Sequence, residues 1–397
     1  MANMRYLLLL LGPVLLGGCA TTGLVLNDKA DSLDKPTTEI AEHQLLDVWI
    51  ETFDPGELPR DDELAQGLSM EIREAEARYI PMQLGNTMER SGHWGSVRMV
   101  PRPGEGGEVL VGGRIIASDG GTLQLQISAS DATGREWFNR NYGLSVDTDA
   151  TNRQVVRIEL FQGLYNIIAN ELARYRDSLD SDDVIRIRRV AEMRFANDLA
   201  PDAFARYLQT GSDGQYDIVG LPSVDDPMYQ RIRAIRQRDF MLIDTLNGHF
   251  DNLVLEMQEP YDEWRSARTE EIEAVRAIKR DALQRKVLGI AAIAGAIALG
   301  AATNSEVRAQ TGTLRDVMVL GGIYAMKTGF DKDGETAIHQ AAIEELDASF
   351  SAEAEPLVVE IDGEVHELTG SAETQYEKWR GLLRQIYAAE TGLIPAP

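Results

Sequence analysis

Cys19 is the only cysteine among the 397 residues, and its position indicates a site where a lipid is attached. The positively charged Arg5 comes first, and residues 7–16 then form an apolar segment too short to span a bilayer. The residues directly before the cysteine are Leu16, Gly17 and Gly18. An apolar segment that ends in small residues is typical of a secretion signal. We therefore expect residues 1–18 to be removed and Cys19 to carry a covalent lipid. The alternative is an ordinary secretion signal with an incidental cysteine.

The sequence Leu-Gly-Gly-Cys at 16–19 resembles the lipobox of bacterial lipoproteins. In that family the residue after the cysteine influences sorting, and an aspartate there often retains the protein at the inner membrane. This chain has Ala20 at that position. The resemblance therefore implies an outer-membrane lipoprotein, anchored by its N-terminal lipid, with its body in the periplasm.

The other residue types that commonly do chemistry have no spacing that assembles a site. Residues 147–149 begin like a calcium loop, but Ile158 stands where that loop needs a glutamate. Residues 104–107 lack the lysine and the following helix of a phosphate-binding loop, so a plain loop is predicted. No metal-ligand spacing connects the five histidines, which are His43, His93, His249, His339 and His366. We therefore predict no metal, no cofactor besides the lipid and no catalytic activity.

Composition narrows the possible partners. Hydrophobic residues make up 44% of the chain and charged residues 26%, which is ordinary for a protein with a buried core. The formal charge of −25 disfavours binding to nucleic acid or to an anionic membrane surface, because both would repel the chain. With Cys19 acylated, no disulfide contributes to stability.

The pattern along the chain predicts an α+β protein. The expected organisation is a signal peptide at 1–18, a tether at 19–40, a small α/β domain at 41–150, a mainly helical domain at 151–286, an apolar helical hairpin at 287–330 and a C-terminal unit at 331–397. The C-terminal unit is predicted to contain a helix, a β-hairpin around Asp362-Gly363 and a last helix at 376–389.

Within the α/β domain, alternation of apolar and polar residues predicts a mixed or antiparallel sheet. The predicted strands are 45–51, 97–99, 109–116, 122–130 and 137–144. In the first of them Trp49 falls among the polar positions. Helical spacing over 64–79 predicts a helix that Pro81 breaks, followed by a short second helix. In the helical domain, a long charged helix is predicted to follow Pro260.

The order strand, helix, helix, strand, hairpin, strand resembles a known periplasmic α/β domain. It is shared by the curli-secretion lipoprotein family and the outer-membrane lipoprotein activators of penicillin-binding proteins. The segments that carry the resemblance are 48–53, 92–100, 111–115 and 131–134. They cover about a quarter of the chain and imply a fold more than a function.

Four tryptophans are candidates for an exposed partner-binding position or for the core, and burial is predicted for all of them. They are Trp94, Trp137, Trp264 and Trp379.

Residues 287–302 contain no polar side chain, and ten of them are alanine or glycine. As a helix they span roughly 24 Å, less than the hydrocarbon core of about 30 Å. A second run of small residues at 317–329 can fold back on the first, and the pair resembles the glycine-zipper hairpins of several outer-membrane lipoproteins. The positions expected to contact the membrane or another subunit are Gly289, Ala292, Gly295, Ala296, Gly300, Gly321 and Gly322.

Two interpretations of this hairpin remain open. It is either a tightly packed core or subunit interface, or a membrane-inserting unit that must oligomerise to satisfy its backbone. The first fits a non-enzymatic periplasmic scaffold, an assembly or regulatory factor that binds another envelope protein. The second fits an oligomeric secretion or pore component that inserts residues 287–329 in the outer membrane.

Overall fold

The computed structural model describes most of the chain between Val25 and Thr391. The described ranges are 25–26, 32–60, 68–101, 104–145, 159–298, 341, 344–345, 356–361 and 364–391, with the backbone alone for 25–26, 267, 269–298, 360–361 and 364. Cys19 and the second half of the predicted hairpin, residues 317–329, lie outside these ranges.

A mixed six-stranded sheet forms the N-terminal part of the fold. Its strands are β1 (Val25–Leu26), β2 (Val48–Glu51), β3 (Val97–Val100), β4 (Val109–Ser118), β5 (Thr122–Asp131) and β6 (Glu136–Ser145). They lie in the order β1-β6-β5-β4-β2-β3. The strands β4, β5 and β6 form an antiparallel meander, whereas β2 runs parallel to both of its neighbours and β1 runs parallel to β6. The prediction of a mixed sheet is confirmed.

Helices make up most of the remaining chain. They are α1 (Met70–Ser91), α2 (Gln162–Asp177), α3 (Ser181–Leu199), α4 (Pro201–Phe204), α5 (Pro227–Ala298) and α6 (Ala372–Thr391). The fold also contains two short pairs of antiparallel strands: β7 (Leu208–Thr210) with β8 (Tyr216–Ile218), and β9 (Leu357–Ile361) with β10 (Glu364–Leu368). The α+β class and the C-terminal hairpin followed by a helix are therefore as predicted. The turn residues 362–363 of that hairpin lie outside the described residues.

Pro81 lies inside α1 and does not break it, so the prediction of two helices was wrong. The helix begins after Ser69, whose Oγ accepts a hydrogen bond from the backbone N of Ile72, and ends at Gly92 with φ of 77°. An interior proline costs about 3 kcal/mol. Burial of Ile80 and Leu84 on either side offsets that cost, because each contributes roughly 1.5–3 kcal/mol.

Pro260 likewise lies inside a helix instead of preceding one. The helix that contains it, α5, begins at Pro227 and continues for 72 residues. The side chains of Met257, Tyr261 and Trp264 around the proline are buried, so packing again outweighs the local preference.

Trp49 is fully buried, contrary to its place among the polar positions of the predicted strand. Its neighbour Ile50 faces α1 at Gly85, and Trp49 points to the other side, where its ring meets Phe240 of α5 at 6.4 Å between centroids. Both faces of β2 are therefore covered, as expected for an interior strand with parallel neighbours.

The outer edge of the sheet is closed by a side chain of α5. Asn247 Oδ1 accepts a hydrogen bond from the backbone N of Met99 at 2.7 Å, and its Nδ2 donates to the carbonyl of Met99 at 2.9 Å. Beside it, Arg98 of β3 pairs with Asp244 of α5 at 2.6 Å. These bonds satisfy the free edge of β3 and position α5 along it.

The helix α5 is about 108 Å long at 1.5 Å per residue. Buried side chains recur from Tyr229 to Arg268, where α5 packs on the sheet and on the other helices. The helix then continues to Ala298 and includes the predicted contact positions Gly289, Ala292, Gly295 and Ala296. Gly300, Gly321 and Gly322 lie outside the described residues. Among the described residues, no helix combines the length and apolarity needed to cross a membrane.

Candidate functional site

A cleft of about 390 Å³ lies between the sheet, α3 and α6. Its lining residues are Glu51, Gly104, Glu105, Leu110, Arg194, Asp198, Tyr376, Glu377, Arg380 and Arg384. They come from β2, the loop after β3, β4, α3 and α6, so long-range packing assembles the cleft.

The loop 104–107 forms one wall because its glycines let the backbone lie on Trp49. A Cβ added to Gly106 would lie 2.9 Å from the Trp49 ring, and one added to Gly107 would lie 2.8 Å from it. Arg236 of α5 holds the loop by donating to the carbonyl of Gly106 at 2.9 Å. The prediction of a plain loop is confirmed, and the glycines serve this close approach.

Three arginines in the cleft are engaged by carboxylates. Arg194 donates to Glu105 at 2.5 Å, and Arg384 pairs with Asp198 at 3.3 Å. Arg380 bonds both Asp198 and the buried Asp239 of α5. The pairs of Arg380 and Arg384 fasten α6 to α3 and α5. Each of the three guanidinium charges thus already has a carboxylate partner.

Asp239 lies behind the cleft and is completely buried. Its Oδ1 accepts a hydrogen bond from Trp379 Nε1 at 3.1 Å, and its Oδ2 accepts one from Arg380 Nη1 at 3.2 Å. Burial raises the pKa of Asp239 to about 6, and Arg380 opposes that shift. This carboxyl therefore changes charge between pH 4 and pH 7.

The free energy of unfolding should depend on pH because of the titration of Asp239. The pKa of Asp239 is raised from 3.8 to about 6, so the folded state binds this proton more tightly than the unfolded state does. The protonated carboxyl therefore stabilises the folded state below pH 4, and this contribution is lost as the pH rises through 6. Relative to Asp239→Asn, we expect the free energy of unfolding of the natural protein to fall by about 3 kcal/mol over that interval. Urea unfolding at several pH values measures the difference. Asp217→Asn, at a side chain that is 64% exposed, is the control and should give no such step.

Glu51 differs from the other carboxylates of the cleft. Across the described ranges, its side chain has no hydrogen bond or ion pair, and burial raises its pKa. A Cβ added to Gly112 of β4 would lie 3.1 Å from Ser128 Oγ and 3.6 Å from Glu51 Oε2, so this glycine lets both side chains lie close to the backbone of β4. A carboxylate partly withdrawn from water without a compensating cation is a candidate for ligand binding.

A second polar cluster is enclosed between α1, α2 and α5. Arg265 of α5 donates to Glu159 at 2.8 Å, and Tyr79 of α1 donates to the same carboxylate at 2.8 Å. Nearby, Tyr261 of α5 donates to Glu76 of α1 at 2.6 Å. All of these side chains are buried or nearly so, which indicates that the cluster joins helices and does not bind a ligand from solvent.

The four predicted core tryptophans are confirmed as buried. Trp137 stacks on Tyr175 at 4.6 Å between centroids and lies 6.3 Å from Trp94. Within the described ranges, no three histidine, cysteine, aspartate or glutamate side chains are grouped so that they could hold a metal ion. His93 is buried, with its Nε2 3.7 Å from Asp177. His339, residues 147–149, the motif 16–18 and Cys19 lie outside the described residues.

No protein-family model matches this chain, and neither the curated proteins nor the solved structures contain a match to it. Function therefore has to be argued from the residues and their geometry. Of the cleft residues, sequence reasoning found only the loop 104–107. Glu51, Asp239 and Arg380 belong to no local motif, because the chain distances between them are 141 residues or more.

Proposed function

We propose that this protein is a lipid-anchored outer-membrane lipoprotein that acts in the periplasm as a non-enzymatic scaffold. It binds another envelope protein as an assembly or regulatory factor. The lipid on Cys19 supplies attachment to the membrane, and the folded body supplies the binding surface.

The observation that carries this proposal is the continuity of α5. Its first part is fastened to the body by Asn247, Arg265 and the pairs around Asp239. Its later part extends about 45 Å from Arg268 to Ala298 and carries the first apolar, small-residue positions. A helix fastened at one end and apolar at the other is suited to hold a partner at a set distance from the body.

The path of the N-terminal chain also supports a body close to its anchor. Five residues separate Cys19 from β1, and at roughly 3.5 Å per residue they allow a span of roughly 20 Å. Past β1, Asn170 of α2 bonds the carbonyl of Ser32 at 2.9 Å and the backbone N of Asp34 at 2.8 Å. The described parts of the tether expected at 19–40 thus contact the body through β1, Ser32 and Asp34, and an acylated Cys19 would keep the β6 side of the sheet near the bilayer.

The second candidate is an oligomeric secretion or pore component that inserts residues 287–329. The continuity of α5 also favours this function. A helix that begins in the body and continues into the apolar segment would connect the body rigidly to a membrane-embedded ring.

Light scattering of the lipid-free chain that starts at Ala20, with and without mild detergent, separates the two functions. The scaffold predicts one defined, monodisperse species of the same mass in both conditions. Aggregation in buffer that detergent resolves into a ring-sized oligomer would overturn it and favour the pore, provided that deletion of 287–329 abolishes the effect. The deletion variant is the control, and under the scaffold proposal it too stays monodisperse.

A further inference from the structure

We propose that the cleft beside β2 binds a cationic side chain, a lysine or an arginine of the partner protein, and that Glu51 is the carboxylate that receives it. This inference rests on the proposed scaffold function, because it names the chemistry of the partner that the scaffold would bind.

Glu51 occupies a position in the cleft that suits a cationic ligand. It ends β2, with β3 on one side and β4 on the other, and its carboxylate lies against Gly112 of β4 in the lining of the cleft. In the part of the chain that the structure describes, no cation approaches it. Burial raises its pKa, so an incoming cation would compensate a desolvated charge that none of the described residues pairs with.

The arginines of the cleft are already paired with carboxylates. Arg194, Arg380 and Arg384 bond the carboxylates of Glu105, Asp198 and Asp239. An anionic ligand would have to displace those partners and would also meet Glu51 and Glu377. The lining contains four carboxylates and three guanidinium groups, so the cleft favours a cation.

The shape of the cleft also suits a long cationic side chain. Leu110 and Tyr376 supply apolar surface on which the methylene groups of a lysine or an arginine can pack while the charged end reaches Glu51. The volume of about 390 Å³ accommodates one long side chain with part of its backbone. Next to the cleft, half-buried polar residues of β5 leave room for the segment that carries the side chain. They are Gln124, Gln126, Ser128 and Ser130.

Titration of the lipid-free chain with capped tripeptides tests this site. Acetyl-Ala-Lys-Ala-amide and its arginine analogue should bind at least about tenfold more tightly than the norleucine analogue, which has the same chain without the charge. The glutamate analogue should not bind. Equal binding of the norleucine peptide, or tighter binding of the glutamate peptide, would overturn the proposal without any variant.

Two variants locate the binding. Glu51→Gln keeps the shape of the side chain and should weaken lysine-peptide binding by about tenfold or more. Glu57→Gln removes an exposed carboxylate from the loop after β2 and should leave binding unchanged. Unchanged binding in Glu51→Gln would exclude Glu51 as the receptor. If no peptide binds while the chain stays monodisperse in light scattering, this inference fails and the scaffold proposal stands.

Discussion

Replacing Arg265 by alanine is expected to lower the free energy of unfolding by about 3–5 kcal/mol. The guanidinium bonds both oxygens of Glu159, at 2.8 and 3.3 Å, and lies over the ring of Tyr261 at 4.4 Å. Its side chain is 3% exposed and that of Glu159 is 7% exposed. Removing the arginine leaves a buried carboxylate whose remaining donors, the hydroxyl of Tyr79 and the backbone N of Phe161, are both neutral, and this uncompensated charge is the source of the cost.

Urea unfolding followed by circular dichroism measures this effect. Arg233→Ala is the matched control, because its pair with Glu192 lies at 3.3 Å and the arginine is 58% exposed. That variant should lose less than about 1 kcal/mol. Replacing Arg265 and Glu159 together by methionine and leucine should cost less than Arg265→Ala alone, because neither charge of this pair remains buried. A loss below 1 kcal/mol in Arg265→Ala would show that the cluster does not hold α5 to the body.

Replacing Cys19 by alanine is expected to abolish attachment of the protein to the outer membrane. Without the thiol no lipid can be added, and the lipobox resemblance implies that residues 1–18 then stay on the chain. Labelling with radioactive palmitate and separation of the two membranes measure both effects. We expect complete loss of label and a precursor longer by 18 residues.

Two further variants test whether the residue after Cys19 determines the location of the protein. Ala20→Asp should keep the lipid and shift the protein to the inner membrane, as the resemblance implies, whereas Thr21→Ala should change neither lipid nor location. Normal processing of Cys19→Ala, together with no label on the natural protein, would establish the ordinary secretion signal instead.

Local patterns in the sequence were sufficient for elements whose side chains follow one regular alternation or turn. The strand β5 is the clearest case, because Leu123, Leu125 and Ile127 are buried and alternate with half-buried glutamines. The hairpin of β9 and β10 was predicted from a short turn signal between two apolar runs. In both cases neighbours in the chain are also neighbours in the structure.

The same reasoning failed where packing outweighs local preference. Pro81 and Pro260 each predict the end of a helix, yet both lie inside helices whose flanking side chains are buried. Trp49 stands at a polar position of the alternation in β2, which predicts exposure, yet α5 and the loop 104–107 cover that face of the strand. The burial that decides these cases comes from segments far away in the chain.

The sequence by itself determined the expected lipid site at Cys19, the α+β class and the apolar segment from 287 onward, because each depends on composition or on residues close in the chain. Only the tertiary structure decided that α5 is one helix from Pro227 to Ala298 and that Glu51 lies in a cleft with Arg380. The physical reason is that desolvation and ion pairing depend on which residues meet in space. Residues 51 and 380 meet only after the sheet, α3 and α6 have packed together.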